Sequence, residues 1–332
     1  MPAPLNVEPD TWQQSLRNAC RDPLEVLNLL GLSTYADKID PAPKFPFIVP
    51  REFVSKMQSG DFNDPLLRQV LPLKIESQVV AGFGSDPTAE SGFHVRPGLL
   101  RKYKHRALII TTGGCAINCR YCFRREFPYQ GAVGKQHFDG IVTEIRQDAS
   151  IEEIILSGGD PLSVPDSRLS EMVAQLSTIP QLKRLRIHTR LPITIPARIT
   201  PALEGILGDS DLEVAMVLHS NHANEIDSDI GERLKALHRR GINLLNQSVL
   251  LRGVNDDSDS LGALSESLFS FNVLPYYLHM LDPVSGSAHF AVPLEKALRL
   301  ERDLNARLPG YLVPKFVREV PGANAKTAIH AL

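Results

Sequence analysis

Arg106-Ala-Leu-Ile-Ile-Thr-Thr-Gly-Gly-Cys115-Ala-Ile-Asn-Cys119-Arg-Tyr-Cys122-Phe-Arg-Arg125 is the stretch on which the fold turns. It opens as an apolar, β-branched run and breaks at Gly113-Gly114 into a loop that carries three cysteines. Runs of the same character begin near Glu152 (EEIILSGG), Lys183 (KRLRIHT), Leu212 (LEVAMVLH), Ile242 (INLLNQSVL) and Val273 (VLPYYLHM). After a first interval of 46 residues the starts lie 31, 29, 30 and 31 residues apart. The intervals hold helix-period segments, clearest over Phe138–Ala149, Glu225–Arg240 and Leu261–Phe271. Strand and helix alternating at this pitch predict βα units on a parallel sheet. Right-handed crossovers would curl six units into an α/β partial (βα)6 barrel. The surplus length of the first interval follows strand one, which puts the cysteines at its C-terminal end.

The other runs also end in polar residues: Ser157-Gly-Gly-Asp160, His188-Thr-Arg190, His219-Ser-Asn221, Asn246-Gln-Ser248 and His279-Met-Leu-Asp282. Strands end in polar loops in any protein, but βα barrels build their sites at this face, and this much His, Asp, Asn and Gln favours a site. Upstream, the segments Asp10–Ala19 and Asp22–Leu30 have helical pattern and precede the Pro-rich Pro41-Ala-Pro-Lys-Phe-Pro-Phe47. We therefore divide the chain into a helical N-terminal extension, 1–96, and a barrel with its C-terminal segment, 97–332.

The composition narrows the function classes. The 332 residues carry 36 Lys+Arg against 38 Asp+Glu, a net charge of -2, which disfavours a nucleic-acid binder. With 43% hydrophobic and 22% charged residues the chain is of ordinary globular type. No apolar run approaches membrane-spanning length. The N-terminus lacks a basic start followed by an apolar core, so a cytoplasmic location is expected. Of four cysteines, Cys115, Cys119 and Cys122 fall within eight residues, and Cys20 lies 95 residues upstream of Cys115. A disulfide framework does not look like this. Thiolates suit iron–sulfur clusters and zinc. A structural zinc site wants four protein ligands, for which His137 is the nearest candidate. Three cysteines on a four-iron cluster would instead leave one iron open. Cys20 reads as a small apolar residue on a helix face.

The Cys-x3-Cys-x2-Cys loop, with Tyr121 before its last cysteine and a βα strand before its first, resembles the radical S-adenosylmethionine superfamily. The resemblance implies a [4Fe-4S] cluster on Cys115, Cys119 and Cys122. Its open iron would chelate S-adenosylmethionine, and a reducing electron donor would drive cleavage to a deoxyadenosyl radical. Ser157, Gly158, Gly159 and Asp160 match that superfamily's glycine-rich segment, where glycines let backbone approach the ligand closely. His219, Asn221 and Gln247 match positions near S-adenosylmethionine.

A narrower resemblance covers about Pro97 to Lys326, some two thirds of the chain. Arg101-Lys-Tyr-Lys-His-Arg106, Cys122-Phe-Arg-Arg125, Leu156-Ser-Gly-Gly-Asp-Pro161, Asn246-Gln-Ser-Val-Leu-Leu-Arg-Gly-Val-Asn-Asp256 and the ending Glu319-Val-Pro-Gly-Ala-Asn-Ala-Lys326 are similar to the lysine 2,3-aminomutase family. That family also uses pyridoxal 5′-phosphate. The match implies that Lys326 forms the cofactor's Schiff base and that Lys102, Tyr103 and Arg106 face its phosphate. Arg124 would bind the substrate carboxylate, with Arg125 as an adjacent alternative. Asp282 and Glu319 would hold the side-chain ammonium of L-lysine. Two positions depart from the usual pattern: Lys102 stands where arginine is common and Glu319 where aspartate is.

The implied reaction is a radical 1,2-amino migration from L-α-lysine to (R)-β-lysine. The chain ends six residues after Lys326. That ending resembles the branch that supplies β-lysine to elongation factor P, with that factor and its lysyl-transferring ligase as partners, more than the free-lysine catabolic branch. An iron–sulfur electron carrier and a structural zinc protein are the readings from other classes.

Overall fold

The computed structural model describes residues 11–130, 135–323 and 325–330. The N-terminal stretch weighed above as a leader lies largely outside them. Ten strands form one sheet in sequence order: β1 (His94–Arg96), β2 (Leu99–Tyr103), β3 (Arg106–Thr112), β4 (Glu153–Gly158), β5 (Arg184–Thr189), β6 (Glu213–His219), β7 (Asn243–Val249), β8 (Leu274–His279), β9 (Lys315–Arg318) and β10 (Thr327–Ala328). From β3 to β9 each pairs in parallel with the next. The six expected runs are β3 to β8. A seventh parallel strand, β9, and antiparallel strands at both edges extend them. The expected helices are present at Lys135–Gln147, Ser228–Arg239 and Ser258–Ser270.

Period-two alternation divides the strands between two environments. On β5, Leu185 and Ile187 join the main core under the helices, while Arg186 and His188 face a cavity. Ile154 and Leu156 against Ile155 and Ser157 repeat the division on β4. The sheet is a partial barrel with an apolar outer face and a polar inner one. Its curl is visible in one ion pair: Lys102 Nζ of β2 lies 2.7 Å from Glu319 Oε2, just past β9. The first and last parts of the sheet thus meet across the opening.

The extension consists of short helices, including Trp12–Arg17, Pro23–Leu29, Arg51–Val54 and Pro65–Arg68, joined by irregular chain. It has its own apolar cluster around Val26, Phe53 and Leu67, which also takes in Cys20. Cys20 is buried there, but not on a helix face as expected: it follows the end of the Trp12–Arg17 helix, and its backbone bridges Val49. Among the described residues no helix is long and apolar enough to cross a membrane.

Candidate active site

A cavity of about 320 Å³ opens at the C-terminal ends of the strands. Cys115, Cys119 and Cys122 line it together with Arg124, Ser157, Gly158, Gly159, Asp160, His219, Gln247, Asp282, Glu319 and Lys326. Lys102, Tyr103 and Arg106 of the basic segment line it too. Asn221 and His137 do not.

The cysteine loop is held from behind. Arg120 points away from the cavity and is almost fully buried. Its Nε and Nη2 donate to the Glu76 carboxylate at 2.6–3.1 Å, and its Nη1 to the carbonyls of Phe45 and Pro46. Arg125 adds a second guanidinium on Glu76 at 2.9 Å, so Arg125 anchors the loop. The backbone N–H groups of Asn118 and Arg120 donate to Ile48 O and Gln69 O. Residues between the cysteines thus bind the extension, which leaves the three thiols on the cavity side. Burial and the neighbouring thiols push the Cys115 thiol up, and burial and Cys119 push Cys122 up to about 11. A cationic cluster core offsets both costs. Among the described residues no three His, Cys, Asp or Glu side chains stand close enough to share one metal ion. Ligands of a four-iron cluster each take a different iron and need no such convergence. Arg190 Nη1 donates to Cys119 Sγ at 2.8 Å, as a thiolate ligand would accept it. The donor set fits the cluster.

The glycine pair has a different geometry from the one its motif suggests. A Cβ on Gly159 would stand 2.2 Å from Gly114 O, and one on Gly158 (φ +118°) 2.6 Å from Thr112 O. The close approach these glycines allow is therefore to the backbone entering the cysteine loop. Asp160 is likewise a brace. Its carboxylate accepts from Thr189 Oγ1 and from the N–H groups of Leu162, Arg190 and Leu191. It fastens the end of β4 to that of β5.

Asn221 needs the clearest correction. It is fully buried behind the cavity, donating to Gln69 Oε1 at 2.9 Å and Tyr121 Oη at 2.6 Å and accepting from Val249 N. Its polar groups are spent on the protein, so it supports Tyr121 and has no group left for a ligand. His219 shares a 2.8 Å hydrogen bond with the same hydroxyl and still lines the cavity. Burial, then Arg190, keeps its imidazole neutral.

At the opposite wall, β9 and β10 pair with Thr327 opposite Arg318. That register sets Lys326 across from Glu319 and explains their spacing. Lys326 Nζ is hydrogen-bonded to Glu319 Oε1 and lies 5.6 Å from the Tyr277 ring centroid. With Lys326 and Lys102 beside it, Glu319 stays ionised, held down to about 2 against burial. For Asp282 burial, then the Glu319 charge, outweigh the pull of Lys326 and Lys102 and push its carboxyl up to about 7. The two acids are unequal: Glu319 is held ionised and Asp282 is pushed towards its neutral form. Arg106 stacks on Tyr103 at 4.1 Å and has no carboxylate partner among the described residues, which suits an incoming phosphate. His188 Nε2, buried at the centre, has no hydrogen-bond partner. A lysine, a guanidinium held against Tyr103 and an unmet imidazole around one space fit pyridoxal phosphate.

The model of the radical SAM superfamily matches residues 109–200, from β3 past the end of β5. An L-lysine 2,3-aminomutase of Escherichia coli (strain K12) is 45% identical over 96% of this chain and 94% of its own length. The chain belongs to the lysine 2,3-aminomutase family. A Haemophilus influenzae L-lysine 2,3-aminomutase is 42% identical over 98% of this chain and 97% of its own. One from Acetoanaerobium sticklandii is 36% identical over 83% of this chain and 67% of its own. Lysine 2,3-aminomutases are radical SAM isomerases that use a [4Fe-4S] cluster, S-adenosylmethionine and pyridoxal phosphate.

Four contributors escaped the sequence: Glu76, Gln69, Glu90 and Glu225. Each lies in a segment with no motif and reaches the site through the tertiary fold. Arg190 was visible as a polar strand end, but nothing in the sequence paired it with Cys119.

Proposed function

We propose that this chain converts L-α-lysine to (R)-β-lysine in the cavity at the strand ends. The observation that carries this is one cavity lined at one wall by the three-cysteine loop and at the other by Lys326 with two acids. When bound, the cluster and S-adenosylmethionine supply a radical that removes a substrate hydrogen atom, and pyridoxal phosphate supplies the conjugated carbonyl that takes the migrating amine. The chain's own residues bind and orient. Asp282 accepts the ε-ammonium from its place on the cavity wall beside Glu319. Glu319 receives the Lys326 ammonium whenever that amine is free. Arg124 takes the α-carboxylate, and Lys102, Tyr103 and Arg106 flank the cofactor phosphate. Gln247 and His219 border the S-adenosylmethionine side. The enclosing walls keep water from reactive species.

Replacing Lys326 with Ala is expected to abolish a lysine-linked pyridoxal absorption band while the iron content stays normal. Retention of that band would contradict the role of Lys326.

We further read the chain as the branch that works in the cytoplasm beside elongation factor P and its ligase. Glu319, which stands where aspartate is usual in the family, is the sequence feature that supports this. Restoration of β-lysyl modification on elongation factor P in a strain lacking its own aminomutase is the expected outcome. Growth on lysine without that modification would favour the catabolic branch.

A further inference from the structure

Arg124 does not stand free for a ligand. Its Nε and Nη2 donate to Glu90 Oε2 and Oε1 at 2.7 and 2.6 Å, and its Nη1 donates to Ser157 Oγ at 2.9 Å. The Glu90 carboxylate meets the guanidinium edge-on through two parallel bonds, the geometry a bound amino acid's carboxylate would use. The side chains are 6% and 16% exposed, so the pair is largely withdrawn from water.

Glu90 belongs to a strap, residues 84–93, in the last part of the extension leading into β1, of which Thr88, Glu90 and Phe93 line the cavity. Its start is fastened next to Asp282: Gly84 N donates to Pro283 O at 2.9 Å, and Ser285 N to Gly84 O at 2.9 Å. Its end is a short turn capped by Asp86, which accepts from Glu90 N and Ser91 N. Two features show that this conformation is not fully relaxed. Ala89 holds a left-handed φ of +53°, which a side chain disfavours. Thr88 Oγ1 is buried at the cavity wall without a hydrogen-bond partner.

We propose that Glu90 occupies the seat of the substrate's α-carboxylate in the resting protein and yields it when an α-amino acid enters. This rests on the reading of Arg124 as the carboxylate ligand. A buried guanidinium without a partner is costly, and Glu90 removes that cost while the cavity is empty. On binding, one carboxylate replaces another, and Arg124 is paired throughout. Glu90 is then a specificity-determining residue. A ligand gains Arg124 only if it brings a carboxylate able to take over both bonds, and a diamine of the same reach does not.

Equilibrium binding of L-lysine and of 1,5-diaminopentane to the anaerobically reconstituted protein tests this in wild type, Glu90→Gln and Arg124→Met. Removing the internal competitor is expected to tighten L-lysine on the order of tenfold in Glu90→Gln and to leave the diamine unchanged. Arg124→Met is expected to weaken L-lysine alone. If Arg124→Met leaves L-lysine binding unchanged, the assignment of Arg124 fails, and the seat with it. If it weakens L-lysine but Glu90→Gln weakens or does not change it, Arg124 stands and the seat is overturned. Hydrogen exchange on the wild type is independent of either variant's folding. L-lysine, and not the diamine, is expected to raise exchange across residues 84–93; unchanged exchange with saturating L-lysine overturns the proposal.

Discussion

Asp282 and Glu319 share one motif-level role in the sequence and hold different states in the fold. Glu319 lies between Lys102 and Lys326 and is ionised at any physiological pH. Asp282 faces Glu319, Lys326, Glu90 and Lys102, and burial with the Glu319 charge holds its carboxyl up to about 7. A substrate ammonium, with a pKa of roughly 10.4, needs the ionised form. L-Lysine affinity should therefore be flat above about pH 7 and fall by about tenfold per unit just below it, with a proton released on binding. In the ligand-free protein the raised pKa acts the other way. Its contribution to stability is fully present only below the unfolded value of 3.8 and is lost progressively as pH rises from there to about 7. Asp282→Asn should remove the pH step and weaken L-lysine by about 1.5–3 kcal/mol, the loss of one charged hydrogen bond. Equilibrium dialysis between pH 6 and 8 measures both; an unchanged affinity would contradict the role of Asp282. That Asp282 and Glu319 belong together came from the family resemblance alone, since each by itself reads as a surface charge. Their inequality was not legible, because it depends on Lys102, 217 residues from Glu319 in the chain.

At the scale of elements, local spacing carried most of the information. The cysteine loop, the Gly158-Gly159 turn and the helix pitch all lie within short windows, so period and motif expose them. The strand β9 did not show itself. Its four residues, Lys-Phe-Val-Arg, are too short for a period and follow Pro314. Only pairing with Tyr277 to His279 on β8 makes them a strand. The glycines line the cavity and also have a structural neighbour that the motif does not reveal. Their backbone abuts Thr112 and Gly114, and so β4 fixes where the cysteine loop departs. Gly159→Ala should force that contact apart and destabilise the protein by about 1–3 kcal/mol, the usual cost of overpacking. Denaturant unfolding would register this, and iron uptake should fall with it. Normal stability and normal iron content would show that the loop does not depend on the contact.

Across the whole molecule, one buried network joins the extension, the cysteine loop and the barrel. Glu225 is fully buried and accepts from Arg190 Nη2 at 2.9 Å and from Gln69 Nε2 at 3.0 Å. Arg190 reaches on to Cys119 and to the Tyr121 hydroxyl. Gln69 and Glu225 are 156 residues apart, and no sequence window contains both. The wiring between the N-terminal helices and the barrel was not legible in the sequence. Glu225→Ala would strand a buried guanidinium and should cost about 3–5 kcal/mol. Urea denaturation would show this as a lower midpoint, and a wild-type midpoint would contradict the network's importance. The central claim is that one cavity brings cluster chemistry and lysine recognition together. Its most direct test is anaerobic reconstitution with iron, sulfide, S-adenosylmethionine, pyridoxal phosphate, a reductant and L-lysine, followed by chiral analysis of the amino acids. Accumulation of (R)-β-lysine, lost when Cys119 is replaced by Ala, is the predicted result. A fully loaded, reduced protein that returns L-lysine unchanged would contradict the account.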